Sequence, residues 1–183
     1  DTSFDNVIQQ VTSTKGGTDE DVIEMALKVG WHESKLKNVR QTTKTGKQDG
    51  AGRGYFQFEG EFGEDKGFET AVNRARNAYE GTTEPVPAWL ANIKKGDDAM
   101  SLTFEQQFTL FLYDKLARKG ADLGMVLNKP KGPQRDKALK SLWLNYHWAN
   151  AAKQPELVPV REKQWDESMK TFDLAKAKEL VKK

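Results

Sequence analysis

The chain has 183 residues, with 29 Lys and Arg against 27 Asp and Glu, and it contains no Cys. Its length predicts a single domain over residues 1–183, because domains commonly span ~100–200 residues. The near balance of charge argues against nucleic-acid binding through bulk positive charge. The absence of Cys excludes disulfides, thiolate metal sites and cysteine nucleophiles. Two His residues, His32 and His147, are too few for a multi-histidine metal site.

No apolar run approaches the ~20 residues that a membrane-spanning helix requires, and no signal-like segment opens the chain. Charge is nevertheless unevenly distributed. Acids dominate residues 1–33, whereas basic residues dominate 35–47 and 129–140. Solvated loops and helix faces explain such runs, and attraction to a polyanionic partner such as a bacterial cell wall is the alternative.

A helix is predicted from Thr18, because Thr18 and Asp21 have the spacing of a capping box. Acidic residues in its first turn favour this start, since they complement the helix dipole. Apolar residues then recur at spacings of three and four, which places them on one face. That face comprises Val22, Ala26, Val29, Glu33 and Leu36. One carboxyl, that of Glu33, therefore falls within an apolar stripe near the end of the helix.

Residues 42–54 contain four glycines and predict a loop or the entry to a hairpin. The next segment, Tyr55-Phe56-Gln57-Phe58-Glu59, alternates in polarity and predicts a short strand. In such a strand Phe56 and Phe58 would lie on the buried face, with Tyr55, Gln57 and Glu59 on the other.

The rest of the chain predicts helices. One is expected from Phe68 to Tyr79, and another begins at either Ser101 or Thr103, both suitable capping residues. Residues 129–133 predict a break. The two remaining helices contain, respectively, Leu139, Leu142, Trp143 and Tyr146, and Trp165, Met169, Phe172 and Leu180. The expected fold class is α+β, mostly α-helical, with one small β element.

Glu33 is the strongest candidate for chemistry. A carboxyl held against apolar groups loses hydration when it ionises, so its pKa rises and it stays protonated near neutral pH. A general acid acting on a glycosidic oxygen needs this property. The basic residues of 35–47 oppose it, so burial dominates only if they point to solvent. The alternative is a glutamate at the edge of the stripe that simply reaches water.

Other motifs fail at specific positions. A metalloprotease helix starting with His32-Glu33 needs a second His at position 36, where Leu36 stands. The segment Gly52-Arg53-Gly54 has neither the third glycine nor the preceding strand of a dinucleotide-binding loop. The residues around Ser34 lack the signature of a serine nucleophile.

Three consecutive segments, in this order, resemble the lysozyme-like superfamily. They are Trp31-His32-Glu33-Ser34, the glycine-rich loop, and Gly52-Arg53-Gly54-Tyr55-Phe56-Gln57-Phe58. In the lytic transglycosylases and goose-type lysozymes of this superfamily a catalytic Glu-Ser closes a helix, and a Gly-x-x-Gln segment opens the substrate cleft. The same residues are similar to plant-type chitinases and related phage endolysins. The resemblance covers residues 18–60. Farther on, Asn145-Tyr146-His147 is faintly similar to an Ala-Tyr-Asn segment of transglycosylases.

The resemblance implies a single lysozyme-like catalytic domain in which Glu33 protonates the leaving oxygen between two amino sugars. It implies that Gln57 hydrogen-bonds the sugar or its acetamido group and that Ser34 belongs to the substrate site. Tyr55 and Tyr146 are expected either to contact the glycan or to pack. Trp143 and Trp148 invite sugar stacking, although Trp143 shares the stripe of Leu139 and Leu142, which favours a place in the core.

A second carboxylate decides the mechanism, and two are candidates. Asp49 lies in the glycine-rich loop, and Glu59 lies at the end of the predicted strand. A base ~6.5–9.5 Å from the acid predicts inversion, whereas ~5–5.5 Å predicts a covalent retaining route. If neither approaches, the substrate's own 6-hydroxyl or acetamido group replaces water, as in lytic transglycosylases.

The leading hypothesis is a muramidase or lytic transglycosylase that cleaves β-1,4 bonds between MurNAc and GlcNAc in peptidoglycan. A chitinase-like hydrolase and a non-catalytic wall-binding or structural domain are the alternatives. No metal or organic cofactor is implied, and no nucleic-acid or membrane partner. The helical layout, without Cys or a signal-like segment, suggests a bacteriophage endolysin or a virion-associated lysin. Such a protein would act in the periplasm or on the wall. It would be expressed in the host or held in a virion or tail assembly.

Overall fold

The computed structural model describes residues 2–182. In this part of the chain nine α-helices are found: Ser3–Lys15 (α1), Asp19–Ser34 (α2), Gly67–Glu80 (α3), Ala88–Ala91 (α4), Phe104–Ala117 (α5), Gly124–Leu127 (α6), Pro133–Trp143 (α7), Val158–Thr171 (α8) and Leu174–Val181 (α9). Two short strands, Gly52–Arg53 (β1) and Phe58–Glu59 (β2), pair antiparallel. The α+β, mostly helical class is confirmed. None of the helices described is long and apolar enough to cross a membrane.

Helix α2 begins as predicted. The Thr18 hydroxyl accepts a hydrogen bond from the Asp21 N–H at 3.1 Å, and the Asp21 carboxylate accepts one from the Thr18 N–H at 2.9 Å. The helix ends at Ser34 because Lys35 and Leu36 adopt left-handed backbone conformations, with φ of 55° and 58°. Leu36 lies beyond the helix but is buried, at 3% exposure.

The prediction of a continuous strand from Tyr55 to Glu59 is wrong. Only Phe58 and Glu59 are extended, and residues 54–57 form the turn of the β1–β2 hairpin. Gly54 has φ of 84°, and a Cβ there would lie 2.2 Å from Gln107 Oε1. That same amide oxygen accepts a hydrogen bond from the Tyr55 N–H at 2.9 Å, so a buried side chain from α5 sets the turn. Phe56 and Phe58 are buried, as predicted.

Helix α5 lies at the centre of the core, with α1 and α3 packed against it. Thr103, not Ser101, caps it, through a capping box with Gln106. Phe111 of α5 stacks on Phe56 of the hairpin turn, with ring centroids 4.9 Å apart. The core therefore holds the hairpin directly beside the end of α2.

The C-terminal region differs from prediction in two places. Helix α7 gives way at Leu144–Trp148 to one π-helical turn. The single amphipathic helix expected at the C-terminus is two helices, because the chain is extended at Phe172 and Asp173 caps α9 by accepting a hydrogen bond from the Lys176 N–H at 3.0 Å. The predicted break at residues 129–133 and the helix from Phe68 to Tyr79, observed as α3, are confirmed.

Candidate active site

Glu33 lies in the last turn of α2, where two grooves meet. The first groove has a volume of about 470 Å³ and runs between the hairpin, α5 and the segment after the π-helical turn. The second groove, about 780 Å³, runs between the end of α2 and α8. Glu33, Gln41 and Trp148 line both grooves. A chain-like ligand lying along the two would therefore pass the Glu33 carboxyl near its middle.

The Glu33 side chain is only 18% exposed. Loss of hydration raises its pKa to about 8, and the nearby Glu59 carboxylate acts in the same direction. The Trp143 indole N–H and the cations of Lys115 and Arg161 oppose this shift without overcoming it. The opposing cations thus come from α5 and α8, not from the basic run of residues 35–47. At neutral pH the carboxyl is mainly protonated, as a general acid requires.

His147 is the polar side chain that faces Glu33. Its Nε2 lies 2.7 Å from the Phe56 carbonyl oxygen and 3.5 Å from Glu33 Oε2. Because a carbonyl only accepts, Nε2 holds the proton and donates it to Phe56. The ring is 6% exposed, and burial lowers its pKa to about 3, so the imidazole is neutral. His147 joins the π-helical turn to the hairpin without placing a charge beside the acid.

The π-helical turn brings three consecutive aromatic residues to the groove: Tyr146, His147 and Trp148. Such turns are uncommon and are often found at functional sites. Trp148 stacks on Trp143 with ring centroids 6.4 Å apart, and the Arg161 guanidinium lies over the Trp148 ring, 5.6 Å from its centre. Trp143 is 2% exposed and belongs to the core, whereas Trp148 is half-buried with access to both grooves.

The hairpin supplies amide groups to the opposite wall of the first groove. Gln57 Nε2 donates to the carbonyls of Val39 and Gly54, at 2.9 and 2.8 Å. Its Oε1 is left to accept from a ligand donor, next to Gly52, where a Cβ would lie 2.8 Å away. Gln41 accepts a hydrogen bond from the Gly52 N–H at 3.2 Å. The predicted binding residue Gln57 therefore lines the groove, fixed in orientation by its own backbone contacts.

The two candidate second carboxylates lie in different places. Glu59, at the end of β2, lines the first groove and raises the pKa of Glu33 through its charge. Within residues 2–182 its carboxylate forms neither an ion pair nor a hydrogen bond. Asp49 is exposed, accepts a hydrogen bond from the Thr43 hydroxyl at 2.9 Å and lines neither groove. Of the two, only Glu59 shares a groove with Glu33.

Two other predicted substrate-binding residues hold the fold together. The Ser34 hydroxyl contacts the carbonyls of Tyr55 and Gly30, at 2.8 and 3.1 Å, and so ties the end of α2 to the hairpin. The Tyr55 ring packs edge-on against Phe104 at 5.2 Å. Neither residue lines a groove. Tyr146, by contrast, lines the first groove.

His32 supports the end of α2 from behind. Its Nδ1 lies 2.8 Å from the Ser168 hydroxyl, and its ring meets Trp143 edge-on at 4.4 Å. Burial lowers the pKa of His32 to about 4, and the Lys35 and Arg161 charges act in the same direction. This neutral ring packs α8 against the helix that presents Glu33.

Sequence reasoning missed four groups around Glu33: Gln41, Lys115, His147 and Arg161. Three of them come from outside the resembling segment and meet Glu33 only through tertiary packing. For His147 the sequence carries only a weak signal, the faint similarity of Asn145-Tyr146-His147 to an Ala-Tyr-Asn segment in which His147 replaces the expected Asn. Among residues 2–182 there is no group of three or more His, Asp or Glu side chains that could hold a metal ion.

Comparison with protein-family models, with curated proteins and with solved structures finds no match to this chain.

Proposed function

We propose that this chain is a glycosidase that cleaves β-1,4 bonds between MurNAc and GlcNAc in peptidoglycan, with Glu33 as the general acid. The observation that supports this most is the Glu33 carboxyl, shielded from water where two grooves meet and with its pKa raised to about 8. The resemblance of residues 18–60 to lysozyme-like enzymes indicates the substrate class, the glycan of peptidoglycan.

The chemistry follows from the state of the acid. Glu33 transfers its proton to the bridging oxygen while the bond from that oxygen to the anomeric carbon breaks. Once ionised, the carboxylate is stabilised by the positive charges of Lys115 and Arg161, which already favour its charged form. The site thus holds the proton before the reaction and tolerates its loss during it.

The grooves favour cleavage within a glycan chain. Glu33 has open groove on both sides, and Trp148 lines each of them beside the acid. An aromatic face of this kind suits the apolar face of a sugar ring. Sugars on both sides of the scissile bond would then be held, so internal bonds are cut as readily as terminal ones.

Glu59 is the proposed partner of Glu33. As a base it would take a proton from water as that water adds to the anomeric carbon, which gives hydrolysis. In a transglycosylase the substrate's 6-hydroxyl adds instead, and the product is a 1,6-anhydro sugar. The two outcomes differ in product and not in the role of Glu33.

The proposed substrate sets the place of action, which is the bacterial wall or the periplasm. We further propose a bacteriophage lysin, free in the host or part of a virion. This step rests on the resemblance to phage endolysins and on the layout of the chain.

The test is digestion of purified peptidoglycan by the wild type, by Glu33→Gln and by Glu80→Gln. Glu80 is an exposed glutamate at the end of α3 that lines neither groove, so its variant is a matched control. Loss of the acid is expected to slow product release by about 10²–10⁴-fold, while Glu80→Gln retains wild-type rates. Mass spectrometry separates reducing ends from 1,6-anhydro ends.

Equal product release by Glu33→Gln and the wild type would refute the assignment. Saturable binding of peptidoglycan without any product, in both proteins, would instead identify a wall-binding domain that lacks catalysis.

A further inference from the structure

The first groove has more cations than anions among the described residues that line it. Its cations are Arg74, Lys115, Arg118 and Lys153, and its carboxylates other than Glu33 are Glu59 and Asp114. Glu33 adds little negative charge at neutral pH, because burial keeps it protonated. Two positive charges are therefore left in excess inside a groove that is proposed to hold a glycan.

Two of these cations are already paired, both with the same carboxylate of the protein. Arg74 Nη1 lies 2.6 Å from one oxygen of Asp114, and Lys115 Nζ lies 2.7 Å from the other. Asp114 keeps a lowered pKa through these two cations in spite of its burial, so it remains charged. This cluster is a closed structural unit on α5 and α3.

The other two cations have no such partner. Within residues 2–182, no carboxylate lies within 4.0 Å of Arg118 or Lys153. The Arg118 guanidinium lies 5.9 Å from the centre of the Tyr146 ring, a contact that leaves the N–H groups at its edge unused. Gly120, with φ of 90°, lets that ring approach, since a Cβ there would lie 2.9 Å from the Tyr146 hydroxyl. Arg118 is thus held in place with its donors free.

Neutral sugars do not need such a pair of charges, because amides and hydroxyls satisfy hydroxyl and acetamido groups. A carboxylate does, since a guanidinium binds it with two parallel hydrogen bonds and an ammonium adds a further charge-assisted one. A concave groove also concentrates the attraction. We propose that Arg118 and Lys153 bind a carboxylate of the glycan substrate, and that the first groove thereby selects an acidic wall glycan over a neutral one.

This inference rests on the proposed function, because it describes the substrate of the same groove. In peptidoglycan the carboxylate has two sources: the stem peptide, and the lactyl group of sugars that carry no stem, because an attached stem converts the lactyl carboxyl into an amide. Both present the same chemistry to Arg118 and Lys153. The experiment therefore has to separate them.

The experiment measures binding, not turnover, in a Glu33→Gln background. Three preparations of one soluble wall glycan serve as probes: the unmodified glycan, the same glycan with its carboxylates converted to neutral amides, and the glycan with its stem peptides removed by an amidase. Each is titrated against the parent, against Arg118→Gln/Lys153→Gln, and against Lys129→Gln/Lys131→Gln. The last pair removes the same charge from a loop that lines neither groove, and thermal melts check that all three are folded.

Neutralising the glycan is expected to weaken binding to the parent and to the control pair by about 10-fold, which corresponds to ~1.4 kcal/mol. The Arg118→Gln/Lys153→Gln protein should bind the unmodified glycan about 10-fold more weakly than the parent, with less than a twofold further loss on neutralisation. Amidase treatment frees a lactyl carboxylate at every sugar that loses its stem. Retained affinity for the stripped glycan therefore shows that the pair accepts the lactyl carboxylate, and a loss equal to that of neutralisation assigns the bound carboxylate to the stem.

Affinity of the parent that does not change on neutralisation would overturn the inference. So would an Arg118→Gln/Lys153→Gln protein that keeps the full 10-fold dependence. Because no step requires catalysis, the two proposals fail separately: charge-dependent binding together with a wild type that releases no product from peptidoglycan would contradict the proposed glycosidase activity alone.

Discussion

The two walls of the first groove are built differently. The hairpin wall, residues 39–59, orients its polar side chains through hydrogen bonds to backbone groups of the same segment, as Gln57 does with Val39 and Gly54. The helical wall, residues 146–153, depends on contacts with distant segments, such as that of His147 with Phe56. The polar groups of the hairpin wall are thus oriented mostly by contacts within residues 39–59, although Gln107 of α5 sets its turn, whereas the helical wall depends on the packing of distant segments. Glu33 lies between them and needs both.

The hairpin wall is tested first, at its two carboxylates, Glu59 and Asp49. Glu59→Gln is expected to lower the rate of glycan cleavage by about 100-fold, because it removes the proposed base from the groove. Asp49→Asn should change the rate by less than about twofold, since Asp49 is exposed and lines neither groove. Initial rates on purified peptidoglycan provide the measurement. A larger loss in Asp49→Asn than in Glu59→Gln would reverse the assignment of the two residues.

The helical wall is tested at His147. His147→Phe keeps a ring against Phe111 and Phe58 but removes the N–H that binds the Phe56 carbonyl. We expect about 10-fold lower activity and a loss of about 1–3 kcal/mol in the free energy of unfolding, because a buried carbonyl loses its donor. Denaturant titration and initial rates check both effects.

The pH dependence of that stability separates packing from titration. The folded-state pKa of His147, about 3, lies below its unfolded value of 6.5. The neutral ring of His147 therefore contributes its full share of the free energy of unfolding above pH 6.5. This share is lost as the pH falls towards 3, because the unfolded chain takes up a proton first. This part of the acid destabilisation should be missing in His147→Phe, and an unchanged acid profile would show that the ring is not held neutral.

The free energy of unfolding should also depend on pH through the ionisation of Glu33. Its folded-state pKa of about 8 lies above the unfolded value of 4.5. The contribution of Glu33 to the free energy of unfolding is therefore most favourable below pH 4.5. It is lost as the pH rises from 4.5 to 8, because the carboxyl ionises first in the unfolded chain. At pH 7 the cost is about 3 kcal/mol, at ~1.4 kcal/mol for each pKa unit.

Glu33→Gln should remove this cost. The variant is expected to match the wild type at pH 4 and to be more stable by about 3 kcal/mol at pH 7, measured by urea titration at each pH. The histidines titrate in both proteins, so the difference between the two curves isolates Glu33. A difference that stays constant with pH would mean that Glu33 ionises normally.

Prediction from sequence succeeded where local signals suffice. The start of α2 follows from Thr18 and Asp21, and Phe56 and Phe58 are buried as predicted, although Phe56 lies in a turn and not in the predicted strand. The location of Glu33 in an apolar stripe follows from helical spacing. These features depend on residues within a few positions of one another.

It failed where a distant side chain decides the conformation. Tyr55 to Gln57 form a turn because Gln107, from α5, binds the Tyr55 N–H. The C-terminal helix divides because Asp173 caps α9, a signal that the hydrophobic periodicity hid. The groups that tune the Glu33 pKa, Lys115 and Arg161, lie more than 80 residues away in the chain and reach it only in the folded domain.

The most direct test of the account is the titration of the Glu33 carboxyl itself. In protein labelled with ¹³C at glutamate carboxyls, the resonance that disappears in Glu33→Gln belongs to Glu33, and its shift is followed from pH 4 to pH 10. The account predicts a midpoint at about 8. A midpoint near the ordinary value of 4.5 would contradict it, because the residue would then be ionised at neutral pH and would have no proton to give.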